Sequence, residues 1–190
     1  MAETDILKMF DKAGALLKGH FLLSSGLHSE KYLQCALLLQ YPLYAQKLCK
    51  KLAAKFKDDK IDVVIGPAYG GILVAYDLAR ALRARALFTE RKDGTMQLRR
   101  GFSIKKGERV VIAEDVVTTG KSVLEVAETI KPFNPKIVGV AALVDRSGKA
   151  KPFGKIRFES LKKIDIKTYS PDRCPLCKKN IPVTKPGSRA

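Results

Sequence analysis

Glu114 and Asp115 stand side by side, three residues ahead of the run Thr118-Thr119-Gly120-Lys121-Ser122. Two adjacent carboxylates can accept hydrogen bonds from a pair of vicinal hydroxyls, as on a ribose, and can hold Mg²⁺ through water. The run that follows is small and rich in hydroxyls. Its backbone N–H groups can turn inward around a phosphate, with the Thr118, Thr119 and Ser122 hydroxyls as further donors. The G-x-x-x-x-G-K-[ST] spacing of a Walker loop is absent. Acids placed just before a phosphate turn, with Val116 and Val117 between them, describe a cradle for a phosphorylated sugar. Taken alone, T-T-G-x-S reads as an ordinary helix start, because acids and threonines favour that position.

The flanking residues decide between these readings. Residues 110–113, Val-Val-Ile-Ala, are apolar without alternation, which predicts a strand buried on both faces of a parallel sheet. Residues 123–131 have helical spacing. Strand, acids, turn and helix together set the cradle at a helix N-terminus, whose partial positive charge favours an anion. The same alternation recurs along the chain. A strand at 61–65 leads into Gly66-Pro67-Ala68-Tyr69-Gly70-Gly71 and a helix over 72–82. Further strands fall at 86–89 and 136–144, the latter ending in Asp145-Arg146. Helices are predicted over 4–18 and 42–56, two short strands about a Ser-Gly turn within 19–33, and one or two strands within 156–169. Residues 90–106 carry no period and read as a long loop or an extended hairpin, and the Pro- and Lys-rich tail from Pro171 reads as irregular. Strands alternating with helices imply right-handed crossovers and a doubly wound parallel α/β sheet. Ligands bind such sheets outside the C-terminal ends of the strands. Residues 66–71, 90–92, 114–122 and 145–146 are therefore expected to converge on one crevice.

At 190 residues and 46% hydrophobic, the chain is expected to form a single ordered domain. It has no apolar run near ~18 residues and no secretory start, which predicts a soluble, cytoplasmic protein with no membrane partner. Four cysteines are too few and too unevenly placed for a disulfide framework. The formal charge of +17 favours anionic partners. Its lysines are scattered and not interleaved with aromatics, so a nucleic-acid surface is not expected. Cys174-Pro175-Leu176-Cys177 is half of a zinc-knuckle pattern. A tetrahedral site would need His20 and His28, Cys35 or Cys49, or a partner chain, so the pair is read as reduced and inert, with no metal ligands assigned.

V-V-I-A-E-D-V-V-T-T-G-K-S at 110–122 resembles the phosphoribosyl diphosphate (PRPP) signature of type I phosphoribosyltransferases. F-L-L-S-S-G-L-H-S-E-K-Y-L at 21–33, G-P-A-Y-G-G at 66–71, F-T-E-R-K-D-G-T-M-Q-L-R-R-G-F at 88–102 and L-V-D-R-S-G at 143–148 are similar to the orotate-specific members. C-P-L-C-K-K-N-I-P-V-T-K-P-G-S-R at 174–189 resembles the tail of one branch of them. The resemblance implies a sheet core at about 60–148, with a small hood from about 19–35 and the C-terminal segment. It also implies transfer of ribose 5-phosphate from PRPP to N1 of orotate, a step of UMP biosynthesis, with Mg²⁺ bound mainly through PRPP or pyrophosphate.

Carried onto this chain, the resemblance assigns PRPP to Glu114, Asp115, Val116, Val117, Thr118, Thr119, Gly120, Lys121 and Ser122. It assigns orotate to Thr118, Arg146 and Tyr32. Arg91 and Lys92 match a basic pair on a mobile loop that closes over the pyrophosphate from the neighbouring subunit of a homodimer, and Arg99 and Arg100 are the next cations on that loop. Arg91, Lys92 and Asp115 are the implied catalytic set. This chain departs from the pattern at Ser24 and Gly70, where many members carry lysine. Glu114 replaces a frequent aspartate, and Lys121 stands where small residues are usual. With these changes another base stays open as substrate, as does a PRPP-sensing regulator on the same fold.

Overall fold

The computed structural model describes residues 4–23 and 25–186. The chain begins with α1 (Thr4–Lys12), β1 (Leu16–Leu22), β2 (His28–Leu33) and α2 (Cys35–Leu39). It continues through α3 (Pro42–Ala54), β3 (Val63–Pro67), α4 (Gly70–Leu82), β4 (Arg85–Lys92) and β5 (Thr95–Gln97). Then come β6 (Arg109–Val117), α5 (Lys121–Ile130), β7 (Lys136–Asp145), β8 (Phe158–Lys163), β9 (Thr168–Tyr169) and α6 (Pro175–Lys178). The chain forms two compact units, Tyr41–Lys163 on the one hand and Met1–Gln40 with Ile164–Ala190 on the other.

The larger unit holds a sheet ordered β5-β4-β3-β6-β7-β8. β4, β3, β6, β7 and β8 run parallel, and β5 is an antiparallel edge strand on β4. The chain lays down β3, steps outward to β4, and returns on the other side of β3 with β6. Strand order reverses there, and a doubly wound sheet opens its crevice at that reversal. Val110, Val111, Ile112 and Ala113 of β6 are each 0% exposed. Val63, Ile65, Val110 and Ile112 share a cluster with Val123, Val126 and Ile130 of α5. Val64 and Val111, the alternate residues, point to the opposite face, where α4 packs on β3 and β6. Burial on both faces is why β6 reads as an unbroken apolar run, and each such side chain contributes about 1.5–3 kcal/mol.

Residues 90–106 resolve into the hairpin alternative, with Lys92 opposite Thr95 across a two-residue turn. Asp93 and Gly94 both have positive φ, at 52° and 77°, which is what a two-residue hairpin turn of this hand requires.

The smaller unit is a three-stranded antiparallel sheet, β1-β2-β9. The helix expected over 4–18 ends at Lys12. Gly14 takes φ 61°, its N–H donates to Asp11 O, and the Ala15 N–H donates to Phe10 O. This six-to-one closure stops the helix and releases Leu16 and Leu17 into β1. The tail expected to be irregular instead forms a 3₁₀ turn, Pro171–Arg173, and α6. In α3, Leu48 and Leu52 are buried, whereas Leu43 is 68% exposed.

Two glycines set how closely α4 can begin against the sheet. A Cβ on Gly66 would lie 2.2 Å from Gly71 O, and one on Gly71 would lie 2.7 Å from Pro67 Cδ. Both neighbours are backbone or ring atoms that cannot swing aside. Gly66→Ala should therefore lower unfolding free energy by about 2–3 kcal/mol, seen as a thermal midpoint roughly 5–10 °C lower. An unchanged midpoint would contradict this packing.

Candidate active site

Four strand ends lie side by side at the reversal. Thr89 of β4 is in register with Pro67 of β3, and Val117 of β6 with Asp145 of β7. The convergence expected for residues 66–71, 90–92, 114–122 and 145–146 is therefore built by adjacent parallel strands.

The acids belong to the end of β6, which runs on to Val117. Glu114 is 9% exposed and Asp115 half-buried. Glu114 Oε1 accepts the Asp115 N–H at 3.2 Å, and Asp115 Oδ1 accepts the Val116 N–H at 2.8 Å. The start of α4 presses on both. A Cβ on Gly70 would sit 2.4 Å from Asp115 Oδ2, and one on Gly71 would sit 3.2 Å from Glu114 Oε1. A lysine at Gly70 thus requires the Asp115 carboxylate to move. The glycine keeps that carboxylate against the N-terminus of α4, whose unpaired N–H groups favour negative charge.

The turn after β6 begins α5. Gly120 takes φ 78° as its N-cap, and a Cβ there would meet Phe153 Cε1 at 2.7 Å. Phe153 is buried and packs edge-on to Phe158 at 5.2 Å. Thr119 Oγ1 accepts the Lys121 N–H at 3.3 Å. A left-handed glycine wedged by an aromatic ring holds the turn open at the helix start, where its N–H groups can meet a phosphate.

The arginines on and just after the β4–β5 hairpin are each held by a carboxylate of the same chain. Arg91 is hydrogen-bonded to Glu125 of α5 and donates to Gly94 O at 2.9 Å. Arg100 makes a two-pronged pair with Glu90, Nε to Oε1 and Nη2 to Oε2 both at 2.9 Å, and Arg99 Nη1 reaches Oε1 at 3.1 Å. Lys92 is exposed at the end of β4. A cleft of about 550 Å³ lies between this hairpin and α5, lined by Arg91, Met96, Thr119, Lys121, Leu124 and Glu125 among others. It joins Arg91 to the phosphate turn. Glu90, within the strand end expected at the crevice, and Glu125, which no linear pattern points to, are the counterions that hold these arginines.

On the far side, the Arg146 N–H donates to Val117 O at 2.7 Å, which ties it to the end of β6. Asp145 is 6% exposed and its Oδ1 accepts the Ser147 N–H at 2.8 Å. Tyr32 lies in the smaller unit, its ring 5.8 Å from that of Phe21. Ser24 lies outside the described residues.

A doubly wound sheet with an acid pair and a glycine turn at its switch point fits a class, and the comparison with known families agrees. The phosphoribosyl transferase domain family matches residues 39–171, and this chain belongs to that family. It stands there with the orotate phosphoribosyltransferases. It is 54% identical over 189 residues to the enzyme of that name from Caldanaerobacter subterraneus subsp. tengcongensis, covering 100% of this chain and 99% of the relative. It is 55% identical over 183 residues to that of Caldicellulosiruptor saccharolyticus, covering 96% of this chain and 95% of the relative. The crystal structure of orotate phosphoribosyltransferase from Aeropyrum pernix superposes with a TM-score of 0.70 at 28% identity, over 84% of this chain and 93% of the other. Among the described residues no helix is long and apolar enough to cross a membrane.

The pairing at Glu90 has a titration signature. The hydrogen bond from Arg100, with the charges of Arg100 and Arg99, holds the Glu90 carboxyl below its ordinary 4.5. The folded value is the lower one, so the pairing is intact above the ordinary carboxylate range and is lost as pH falls through the depressed value. Carbon-13 NMR of the Glu90 carboxyl should show a midpoint below 4.5 that moves back up in Arg100→Gln. A midpoint indifferent to that substitution would contradict the pairing.

Proposed function

We propose that this chain is an orotate phosphoribosyltransferase. It transfers the ribose 5-phosphate of PRPP to N1 of orotate, releasing pyrophosphate and giving orotidine 5′-monophosphate for pyrimidine nucleotide synthesis. The observation that carries this reading is the acid pair and glycine-wedged turn at the sheet's switch point, in a chain more than half identical along its length to enzymes of that name.

The turn formed by Thr118, Thr119, Gly120, Lys121 and Ser122 holds the 5-phosphate, with Val116 and Val117 leading into it. Glu114 and Asp115 accept the ribose hydroxyls. Their hard oxygen donors also fit Mg²⁺, which when bound with PRPP supplies charge neutralisation on the diphosphate. Arg146 and Thr118 take the planar, carboxylate-bearing ring, for which a guanidinium fork is the natural partner.

As the C1–O bond breaks, its electron pair leaves with the pyrophosphate while N1 of orotate bonds to C1. Negative charge builds on the leaving group, and Arg91 and Lys92, followed by Arg99 and Arg100, stabilise it most in the transition state. In the unliganded chain Glu125 and Glu90 occupy those arginines. A diphosphate carries more charge than a carboxylate and displaces them. We place the chain in a homodimer that shares these loops. Tyr41, Leu43, Leu73 and Tyr76 support this, because they are between 46% and 68% exposed on or beside the adjoining helices α3 and α4, and clustered exposed apolar side chains mark interfaces.

Pure protein should consume orotate only when both PRPP and Mg²⁺ are present; a folded, inert preparation would sink the proposal. Arg91→Ala should lower kcat about 10²–10³-fold while PRPP affinity changes little, and equal losses in both would remove its transition-state role. Mixing Arg91→Ala with Asp115→Asn subunits should recover part of the lost activity. No recovery after verified subunit exchange would argue against shared loops.

A further inference from the structure

The smaller unit gathers four side chains that the phosphoribosyl chemistry does not use. His20 Nε2, His28 Nδ1, Cys174 Sγ and Cys177 Sγ all lie within 4.8 Å of one another. His20 Nε2 is 3.5 Å from Cys174 Sγ and 3.7 Å from Cys177 Sγ, and Cys177 Sγ is 3.3 Å from His28 Nδ1. A tetrahedral ion with metal–nitrogen bonds of about 2.0–2.1 Å and metal–sulfur bonds of about 2.3 Å separates its ligand atoms by roughly 3.3–3.8 Å. The three nitrogen–sulfur distances already match. The histidine nitrogens approach more closely, at 2.8 Å, about half an ångström short of the tetrahedral separation.

We propose that His20, His28, Cys174 and Cys177 form a structural zinc site that staples the C-terminal tail to the N-terminal strands. Two thiolates with two imidazoles in a closed four-ligand set select zinc among common divalent ions.

Three features indicate that the cluster is built for a ligand. The first is the register of β1 against β2. Lys18 pairs with Lys31, but Phe21 pairs with Ser29 and Leu22 with His28, so the ladder slips by one residue between Lys18 and Phe21. Without that bulge His28 would sit opposite Phe21, on the other face from His20. With it, His20 and His28 are diagonal neighbours on one face. The second is the outer hydrogen bond of His20. Its Nδ1 lies 2.7 Å from Ile181 O, a carbonyl that can only accept, so Nδ1 carries the proton and Nε2 offers a lone pair to the cluster. Metal-bound histidines are oriented in this way. The third is burial. His20 is 3%, His28 7% and Cys174 0% exposed, and polar groups so enclosed need a partner shared among them.

The staple has something to hold. The tail meets β1 through Leu22 N–H to Thr184 O and Thr184 N–H to His20 O, both at 2.8 Å. Its own apolar residues contribute little, since Ile181 and Val183 are 40% and 47% exposed. Metal binding at such a site adds directly to folding stability.

The full-length chain, made in zinc-supplemented medium and purified without chelator or metal resin, should carry about one zinc per chain by mass spectrometry of the metal. Cys174→Ser/Cys177→Ser and His28→Ala should fall to about a tenth of that or less, whereas Cys35→Ala, Cys49→Ala and Arg91→Ala should keep it. Should the ligand variants not fold, the wild-type chain still decides. After removal of zinc by chelator under reducing conditions, Co²⁺ should bind at one equivalent with the intense visible absorption of a four-coordinate thiolate site. The zinc-free chain should melt about 5–10 °C lower than the loaded one. Absence of zinc from the reduced, folded wild-type chain together with no cobalt band overturns the site. So does full retention of zinc by a folded Cys174→Ser/Cys177→Ser chain.

Discussion

Where α4 meets the sheet, Cβ atoms have no room. The carbonyl of Gly71 occupies the place a Gly66 side chain would need, and the Asp115 carboxylate occupies the place of one on Gly70. At Gly66 the contact is backbone against backbone, which is why a buried strand and a helix N-terminus can approach so closely. The acid pair, the phosphate turn and the β4 cations all take their positions from strands registered by it. A side chain at Gly70 and an Asp115 in its present place exclude one another.

Charge balance at the cleft follows a similar logic. The chain carries a large positive excess, yet the arginines nearest the cleft are neutralised by Glu90 and Glu125. Free guanidinium groups lining a pocket would hold any passing anion. The Arg91–Glu125 pair also ties the hairpin to α5.

The features visible in the sequence were those dictated by local chemistry. β6 declared itself because burial on both faces removes alternation, and the turn at residues 118–122 stood out only through its place between that strand and a helix. The Asp93-Gly94 dipeptide was an unread hairpin signal within residues 90–106. The overlong first helix arose because Leu16 and Leu17 continue its apolar spacing, whereas the left-handed Gly14 had already ended it. What stayed hidden depends on tertiary placement. No linear pattern joins Arg91 to Glu125, or puts a Phe153 ring under Gly120. His20 and Cys174 are separated by 154 residues, and a single bulge decides whether the two histidines face each other at all.

The smaller unit draws its strands from both ends of the chain, with β9 adding to β2 and residue 184 bridging to residue 21. Protein synthesis therefore leaves β1 and β2 as a lone ribbon throughout the making of the sheet unit, and such ribbons are marginal in water. The sheet unit is continuous and can consolidate as it emerges. The ribbon becomes a sheet only once β9 has been made. The order of translation thus separates assembly of the parallel sheet from completion of the smaller unit.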